Sequence, residues 1–512
     1  MTIDVIDLFA GPGGLGEGFA SLDEGRKFKI VVSVEMEASA HRTLTLRSFY
    51  RLTRDDAKAE RAYYDFCNSA AAPHPRDICV AAWKRAEEEA RQLTLGVDRD
   101  NKILDQLIDE KRLDPDRTIV IGGPPCQAYS LVGRSKNQGT VGYVAEDDHR
   151  HFLYREYLRI IHRSQPSVFV MENVKGILSA KVGGRRVFHD ILRDLSNPGK
   201  ALRRPTGKQS NGYRIYSLVA ATHFEEGMDP HAIDANDFVV RSELYGIPQA
   251  RHRVILVGVR EDVRVARPAL LQKLNGVSVR DAISELPRLR SRLSSHDAPA
   301  SWEHTIRTLV ANLSVDAKKQ DMREMSVMLG TRVREVSGAC STGGLRFHAN
   351  PPTNTQSEYL RWVHDPKLDV WLNHEARSHM ASDLGRYFFA ATFAEKFGRS
   401  PKGHADFNLH GLAPEHANWH SGKFEDRFRV QLYDQPATTV TSHIAKDGHY
   451  FIHPDPAQCR SLTVREAARL QSFRDNYFFE GNRTQQYHQV GNAVPPLLAL
   501  QVARRLGAML SQ

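Results

Sequence analysis

Gly122-Gly123-Pro124-Pro125-Cys126-Gln127 sets a cysteine behind two prolines, at the end of the apolar run Thr118 to Ile121. Proline fixes its own φ, so the pair stiffens the backbone and aims the thiol. Cysteine is the most nucleophilic common side chain once its thiolate is accessible. A small buried residue is the plainer account of most free cysteines, but Pro-Pro-Cys at a strand end points to a nucleophile. A second run, Val168-Phe169-Val170-Met171, ends in Glu172-Asn173-Val174. A carboxyl beside a nucleophile can hydrogen-bond to a substrate ring or protonate it. Taken singly, such a glutamate is a solvated or capping acid; its position parallel to Cys126 in consecutive strands sets it apart. Gln249-Ala250-Arg251-His252-Arg253 precedes a further run, and strand alternation puts Gln249, Arg251 and Arg253 on one side. Such a row suits anion or base-edge contacts, and an exposed charged strand start is the bland alternative.

Near the start, Ile3 to Phe9 reads as a buried strand, Ala10-Gly11-Pro12-Gly13-Gly14 as a tight loop, and Leu15 and Phe19 as one face of a helix. A strand running into glycines and a helix lets backbone approach a ligand at the strand's carboxyl end. Glu35, 22 residues beyond Gly13, ends the next strand, where an acid can accept hydrogen bonds from ribose hydroxyls. The loop lacks Gly-x-Gly-x-x-Gly spacing, which favours a nucleoside without phosphates over a dinucleotide.

The elements that must position these residues follow from apolar periodicity. Ile30 to Val34, Thr118 to Ile121, Val168 to Met171, Ile215 to Val219 and Val254 to Val259 repeat the strand pattern, with helical stretches between several of them. That alternation predicts a doubly wound α/β domain with a mostly parallel sheet. A polar, Ala- and Arg-rich segment at about 50–115 predicts helical insertions rather than sheet. From 262 to 435 the alternation fades, predicting a separate lobe of about 170 residues. Thr463-Val464-Arg465-Glu466 carries a capping box behind Leu462. Asn492 to Pro496 leads into a helix with Leu498, Val502 and Leu506 on one face.

With 512 residues the chain exceeds what one core usually organises. A net charge of +9 is compatible with a polyanionic partner without establishing one. Five scattered cysteines without a Cys-x-x-Cys pair argue against a disulfide framework or a cysteine zinc site, and fit a reducing cytosol. The histidines between 374 and 420 show no metal-ligand spacing, so no metal is expected. No apolar run spans a bilayer, and the N-terminus lacks signal-peptide features.

Taken together, Asp7 to Gly14, Gly123 to Gln127, Glu172 to Val174, Gln249 to Arg253 and Gly491 to Pro495 resemble the first, fourth, sixth, eighth and tenth motifs of the DNA cytosine-5 methyltransferases, in family order. Arg465-Glu466-Ala467-Ala468-Arg469-Leu470-Gln471 resembles the ninth. The resemblance runs from residue 7 to residue 496 and is of the bacterial restriction-modification, Dcm-like type. Two departures stand out. Arg474 replaces the proline that usually closes the ninth motif, which alters a local turn. The third motif is poorly marked, with Asp77-Ile78 the candidate adenine-contacting pair.

The resemblance implies an S-adenosylmethionine-dependent methyltransferase domain over 1–261, a target-recognition domain over 262–435, and a C-terminal segment, 436–512, returning to the catalytic domain. It implies that the target base is flipped out of duplex DNA. The Cys126 thiolate then adds to carbon-6, Glu172 stabilises or protonates nitrogen-3 and contacts the amine, and Arg253 reaches the carbonyl oxygen with Arg251 in support. Phe9, Ala10, Gly11, Gly13, Gly14, Glu35, Met36, Asp77, Ile78, Pro124, Leu153, Asn492 and Val494 are the implied donor-binding residues. Gln127, Asn173, Gln249 and Thr439 are the implied substrate contacts, and the segment Gln127 to His149 corresponds to a loop closing over the flipped base. The expected partner is double-stranded DNA, with no membrane. The protein is expected as a monomer in a bacterial cytoplasm, nucleoid-associated, with a cognate restriction endonuclease acting separately. The alternatives are a tRNA cytosine-5 methyltransferase, against which the large lobe after Arg253 argues, and a silent DNA-binding homologue, which would have no chemical need of Cys126, Glu172 and Arg253.

Overall fold

A computed structural model describes residues 2–125, 150–182, 185–203, 212–349, 357–414, 419 and 427–511. Among them, nine strands form one sheet. They are β1 (Ile3–Leu8), β2 (Phe28–Glu35), β3 (Ala90–Gln92), β4 (Thr118–Gly122), β5 (Val168–Val174), β6 (Tyr213–Tyr216), β7 (His223–Phe224), β8 (Val239–Arg241) and β9 (His252–Arg260). The order is β3-β2-β1-β4-β5-β9-β6-β7, with β8 paired to the start of β9. From β3 to β5 every pairing is parallel; β9 then enters antiparallel to β5, and β6 and β7 continue that sense.

Period-two alternation divides the apolar side chains between two cores. Ile6, Leu8, Val120, Phe169, Met171 and Leu256 face one side of the sheet, against Tyr157, Leu158 and Ile161 of a helix at Arg150–Ser164. Val5, Ile119, Ile121, Val170 and Val257 face the other, against Leu15 and Phe19 of α1 (Gly14–Ala20). The residues predicted on one face of the last helix, Leu498, Val502 and Leu506, pack into this second core.

The 50–115 stretch is mostly helical, through α2 (Ala38–Leu52), α3 (Ala57–Asn68), α4 (Val80–Glu89) and α5 (Asp98–Glu110). It departs from the expectation of helix alone in one place, because β3 adds an edge strand to the sheet, with Ser33 opposite Ala90 and Glu35 opposite Gln92. Ala-Arg-Gln has no apolar period to flag it, since a three-residue edge strand is held by its backbone ladder.

Within 262–435, α6 (Pro299–Lys319) and α7 (Ala381–Phe397) pack around Trp302, Leu384, Phe388 and Phe389. Strands Gly343–Phe347 and Trp371–Glu375 form an antiparallel pair. The chain then returns through α8 (Val464–Leu470), α9 (Arg483–Asn492) and α10 (Pro496–Met509). The predicted capping box opens α8: Thr463 Oγ1 accepts from Glu466 N at 3.1 Å, and Thr463 N donates to Glu466 Oε2 at 2.7 Å. No described helix is long and apolar enough to cross a membrane.

Candidate active site

The parallel strands end along one edge of the sheet, where an open α/β fold places its ligand crevice. Leu8 pairs with Gly122, and Gly122 with Met171, so the turns leaving β1, β4 and β5 stand side by side. At the first turn Phe9 and Gly11 take φ of 55° and 58°. An ideal Cβ on Gly11 would meet nothing within 4 Å, which leaves its backbone open to a ligand. Gly13, at φ 99°, has no such room: a Cβ there would lie 2.9 Å from Leu44 and 3.1 Å from the Tyr477 hydroxyl.

Glu35 closes the loop's far side. Its Oε2 accepts from Gly11 N at 2.8 Å and its Oε1 from Glu37 N at 2.7 Å. Each oxygen keeps a further lone pair for a ligand hydroxyl, and burial raises the carboxyl's pKa against those two bonds. Phe9 and Leu153 rest half-buried on the same core, and Met36 is exposed just past β2. Asn492 is exposed at the end of α9, and the Val494 carbonyl would be 2.3 Å from a Cβ on Gly14. Ala10 is buried, its amide donating to Val34 O at 3.0 Å. Beneath the loop lies Asp7, whose two carboxyl oxygens have no hydrogen-bond partner; burial pushes its pKa up to about 8.

Cys126 and Gln127, and the segment on to His149, lie outside the described residues. The turn leading to them is described. A Cβ on Gly123 would stand 3.0 Å from Glu172 Oε2, and Asn173 Nδ2 donates to the Pro124 carbonyl at 3.2 Å. Glu172 Oε1 meets Arg253 Nε at 2.8 Å, both side chains only 12% exposed. The antiparallel register explains this pair: Glu172 is opposite Ile255, and Arg253, two residues before Ile255, projects from the same face. Burial lowers the Arg253 pKa, and Glu172 opposes that shift by charge and hydrogen bond.

The expected one-sided row of Gln249, Arg251 and Arg253 does not form. Gln249–Ala250 is a separate two-residue strand parallel to Ala437–Thr438, and β9 begins at His252. Gln249 is fully buried; its amide donates to Leu470 O and Gln471 Oε1, both at 3.1 Å, and accepts from Val440 N at 2.7 Å. Arg251 is buried too, donating to Val440 O at 2.8 Å and Gly491 O at 3.2 Å. Desolvation, then the charge of Arg253, push its pKa well down. Thr439 donates to Ala250 O at 2.7 Å. Gln249, Arg251, Thr439 and Asn173 therefore tie segments together, where substrate contact had been expected of Gln249, Thr439 and Asn173.

Asp77 and Ile78, the expected adenine-contacting pair, lie exposed on the short helix Pro75–Ile78, with Asp77 paired to Arg76 at 3.6 Å. The position beside Glu35 belongs to the end of β3, where Leu93 N donates to Glu35 O at 3.2 Å and Gln92 Nε2 to Met36 O at 3.4 Å. Sequence reasoning also missed Tyr477, whose hydroxyl donates to the Pro12 carbonyl. Among the described residues no group of three or more His, Cys, Asp or Glu side chains could hold a metal ion.

Comparison with known proteins adds three findings. The family model for C-5 cytosine-specific DNA methylase matches residues 99–200 and 236–508. The chain is 34% identical to the type II methyltransferase M.Bpa9945I of Bacillus paralicheniformis over 528 residues, covering 98% of this chain and 97% of that one. It is 25% identical over 536 residues to the DNA (cytosine-5-)-methyltransferase M.ApeKI of Aeropyrum pernix, covering 99% and 98%. Among solved structures, a prophage-encoded E. coli protein assigned as a DNA modification methyltransferase shares the fold, with a TM-score of 0.55 and 17% identity over the full length of both chains.

Proposed function

The chain belongs to the C-5 cytosine-specific DNA methylase family and is a DNA cytosine-5 methyltransferase, and from that premise we propose how its residues divide the work. The reading is carried by one observation, the buried Glu172–Arg253 pair beside the Gly123–Pro124 turn that leads to Cys126.

The glycine loop fits a nucleoside donor. Gly11 leaves open backbone, Glu35 offers free lone pairs for ribose hydroxyls, Phe9 offers half-buried apolar surface, Pro124 backs the neighbouring turn from a buried position, and Asn492 is exposed at the end of α9. These residues, with Gly13 and Val494 shaping the turn, hold S-adenosylmethionine. Bound there, it supplies a methyl group activated on a sulfonium sulfur.

The chain's own residues act on the base. Flipping exposes cytosine at a cost of a few kcal/mol in stacking and pairing. The Cys126 thiolate adds to carbon-6, and Glu172 holds a proton against nitrogen-3, which turns carbon-5 into an enamine-like nucleophile. Arg253, fixed in direction by Glu172, donates to the carbonyl oxygen. Carbon-5 would take the methyl as the sulfonium carbon–sulfur bond breaks and S-adenosylhomocysteine leaves as a neutral thioether; the carbon-5 proton then passes to solvent, and the electron pair left behind expels the Cys126 thiolate from carbon-6 by β-elimination. Glu172 also selects cytosine, because thymine presents a protonated nitrogen-3 and a carbonyl where the amine belongs. Arg251 acts one step back, by holding Val440 and Gly491. Residues 262–435 read the DNA site, and a separate restriction endonuclease cuts that site when it is unmethylated.

The test is covalent capture. Wild-type protein incubated with S-adenosylmethionine and a duplex bearing 5-fluorocytosine should form a denaturation-resistant adduct, and Cys126→Ser should form none. Equal capture by both proteins would remove Cys126 from the chemistry. Bisulfite sequencing of methylated genomic DNA then supplies the recognised site.

A further inference from the structure

Arg47 of α2 is fully buried and lies between two aromatic rings, 4.1 Å from the Tyr50 centroid and 4.2 Å from that of Tyr477. Its guanidinium meets Glu17 Oε1 at 2.5 Å, Tyr63 OH at 2.9 Å, and Asn476 at both its carbonyl (3.2 Å) and its Oδ1 (3.1 Å). Tyr63 OH donates onward to Asn476 O at 2.6 Å. The network that Arg47 centres draws on four different places, three of which touch Arg47 directly. Glu17 sits in α1, directly after the glycine loop. Tyr63 belongs to the helical insertion, and Asn476 and Tyr477 to the C-terminal segment. The Tyr477 hydroxyl donates to Pro12 O, inside the loop itself.

The fourth place is the lobe that reads DNA. Asp365 Oδ2 accepts from Asn476 Nδ2 at 2.5 Å and from Tyr64 OH at 2.6 Å, while its Oδ1 accepts from Lys367 N at 2.9 Å. Arg346 of the same lobe donates to Phe66 O at 2.9 Å and Cys67 O at 3.1 Å, and its guanidinium stacks 4.7 Å from Phe66 and 4.5 Å from Phe478. The insertion is thereby wedged between the glycine loop's helix and the lobe. Polar contacts run without a break from Asp365 through Asn476 and Arg47 to Glu17, and the adjoining Tyr477 reaches Pro12.

A buried guanidinium is expensive unless every donor finds a partner, and an apolar filling of similar volume is often as stable. Stability alone does not call for a charged hub at this junction. We propose that Arg47 and Tyr477 are positioning residues for the methyl-donor loop, and that Asp365 steadies them through Asn476, so that the DNA-reading lobe also sets the donor site. This rests on the reading of the glycine loop as the donor site. By reciprocity, DNA seated on the lobe tightens donor binding by the factor by which donor tightens DNA binding.

The experiment uses full-length protein, calorimetric titration with S-adenosylhomocysteine, and steady-state kinetics on unmethylated plasmid DNA. Tyr477→Phe removes only the hydroxyl that holds Pro12, and Asp365→Ala acts from the half-buried lobe side. Both should weaken S-adenosylhomocysteine and raise the donor KM by about fivefold or more, in the range of linked sites. Values of kcat at saturating donor should stay within about twofold, while Tm falls by a few degrees in each variant, because each leaves a buried hydrogen-bond partner stranded. A donor affinity unchanged in Asp365→Ala overturns the proposal, whatever happens to DNA binding. So does a fall in Tm in both variants without a change in donor affinity. Glu35→Ala is the control on the underlying reading: if it too leaves donor affinity unchanged, the loop is not the donor site and the proposal falls with it. If Glu35→Ala weakens the donor while the other two do not, only the coupling is wrong.

Discussion

Gly18→Ala tests whether the donor loop depends on the seating of α1 against α10. A Cβ at residue 18 would lie 2.4 Å from Ala499 Cβ, 2.5 Å from Pro496 O and 2.6 Å from Leu500 N. Carbon atoms rest at about 3.5–4.0 Å, so α1 must withdraw by roughly 1 Å. Two of the three obstacles are backbone and cannot rotate aside. Overpacking of this kind costs about 1–3 kcal/mol. With two backbone obstacles the upper part of that range applies, about 2–3 kcal/mol; the better helix propensity of alanine returns about 0.5–1 kcal/mol, leaving a net loss of about 1–2.5 kcal/mol. Urea unfolding of the donor-free protein should show that loss as a lower midpoint, and donor affinity should fall as well, because Gly14 begins the same helix. Adding Ala499→Gly should recover only part, since it removes one obstacle of three. A Gly18→Ala protein within about 0.5 kcal/mol of wild type would refute the reasoning, as would full recovery in the double variant.

Asp7, with its carboxyl raised from 3.8 to about 8, stays protonated in the folded chain where the unfolded chain has lost its proton. Stability therefore falls as pH rises from about 4 to 8. Asp7→Asn should gain on wild type between pH 5 and pH 8 by roughly 3–4 kcal/mol, and parallel stability curves for the two proteins would contradict this. His374 has the opposite sign. Burial lowers its pKa from 6.5 to about 4, while its ring bonds Pro287 O at 2.9 Å and Thr463 Oγ1 at 3.0 Å. The unfolded chain takes up a proton first, so stability drops as pH falls from 6.5 towards 4, and His374→Gln should flatten part of that acid limb in urea titrations at several pH values. His453, lowered to about 4 nearby, retains the remainder. Gln249→Leu strands the Val440 amide and should cost about 1–3 kcal/mol in urea unfolding. Its kcat/KM on plasmid DNA should fall too, because Thr439 and Arg251 share that junction; full activity would show the junction to be dispensable.

Local pattern made the strands of the central sheet and the glycine turn legible, because a buried strand must alternate and a turn with φ near 99° needs a glycine such as Gly13. The neighbourhood of Glu172 and Arg253 was only half legible. Each residue has the right chemistry, but their approach depends on β9 running antiparallel to β5, and apolar period carries no information on strand sense. Gln249 misled for a related reason: alternation assumes one continuous strand, and here a two-residue strand ends before β9 begins. Asp77 has the residue type but lies inside an insertion whose helices mask, in the sequence, the three-residue strand that flanks Glu35. Tyr477 was beyond reach, since its partner Pro12 is 465 residues away and no local rule joins them.

That distant contact also explains why Arg474 can stand where the family usually has proline. A proline would fix the turn from within by limiting φ. Here the turn is fixed from outside. Arg469 grips Asp475 through two hydrogen bonds, at 2.9 and 2.7 Å, and Arg465 donates to Arg474 O at 3.0 Å and Tyr477 O at 2.6 Å. The Arg474 guanidinium lies 4.1 Å over the Trp362 ring, so the replacing side chain adds a hold on the 262–435 segment. What the position must deliver is Asn476 and Tyr477, presented to Arg47 and to the glycine loop. The seven residues of α1 are all buried, and a helix that short has little stability of its own. Its place is set by the Val494 carbonyl behind Gly14, by α10 behind Gly18, and by Arg47 on Glu17. The donor loop is therefore built by both ends of the chain, and a change in the ninth motif is tolerated so long as Tyr477 still reaches Pro12.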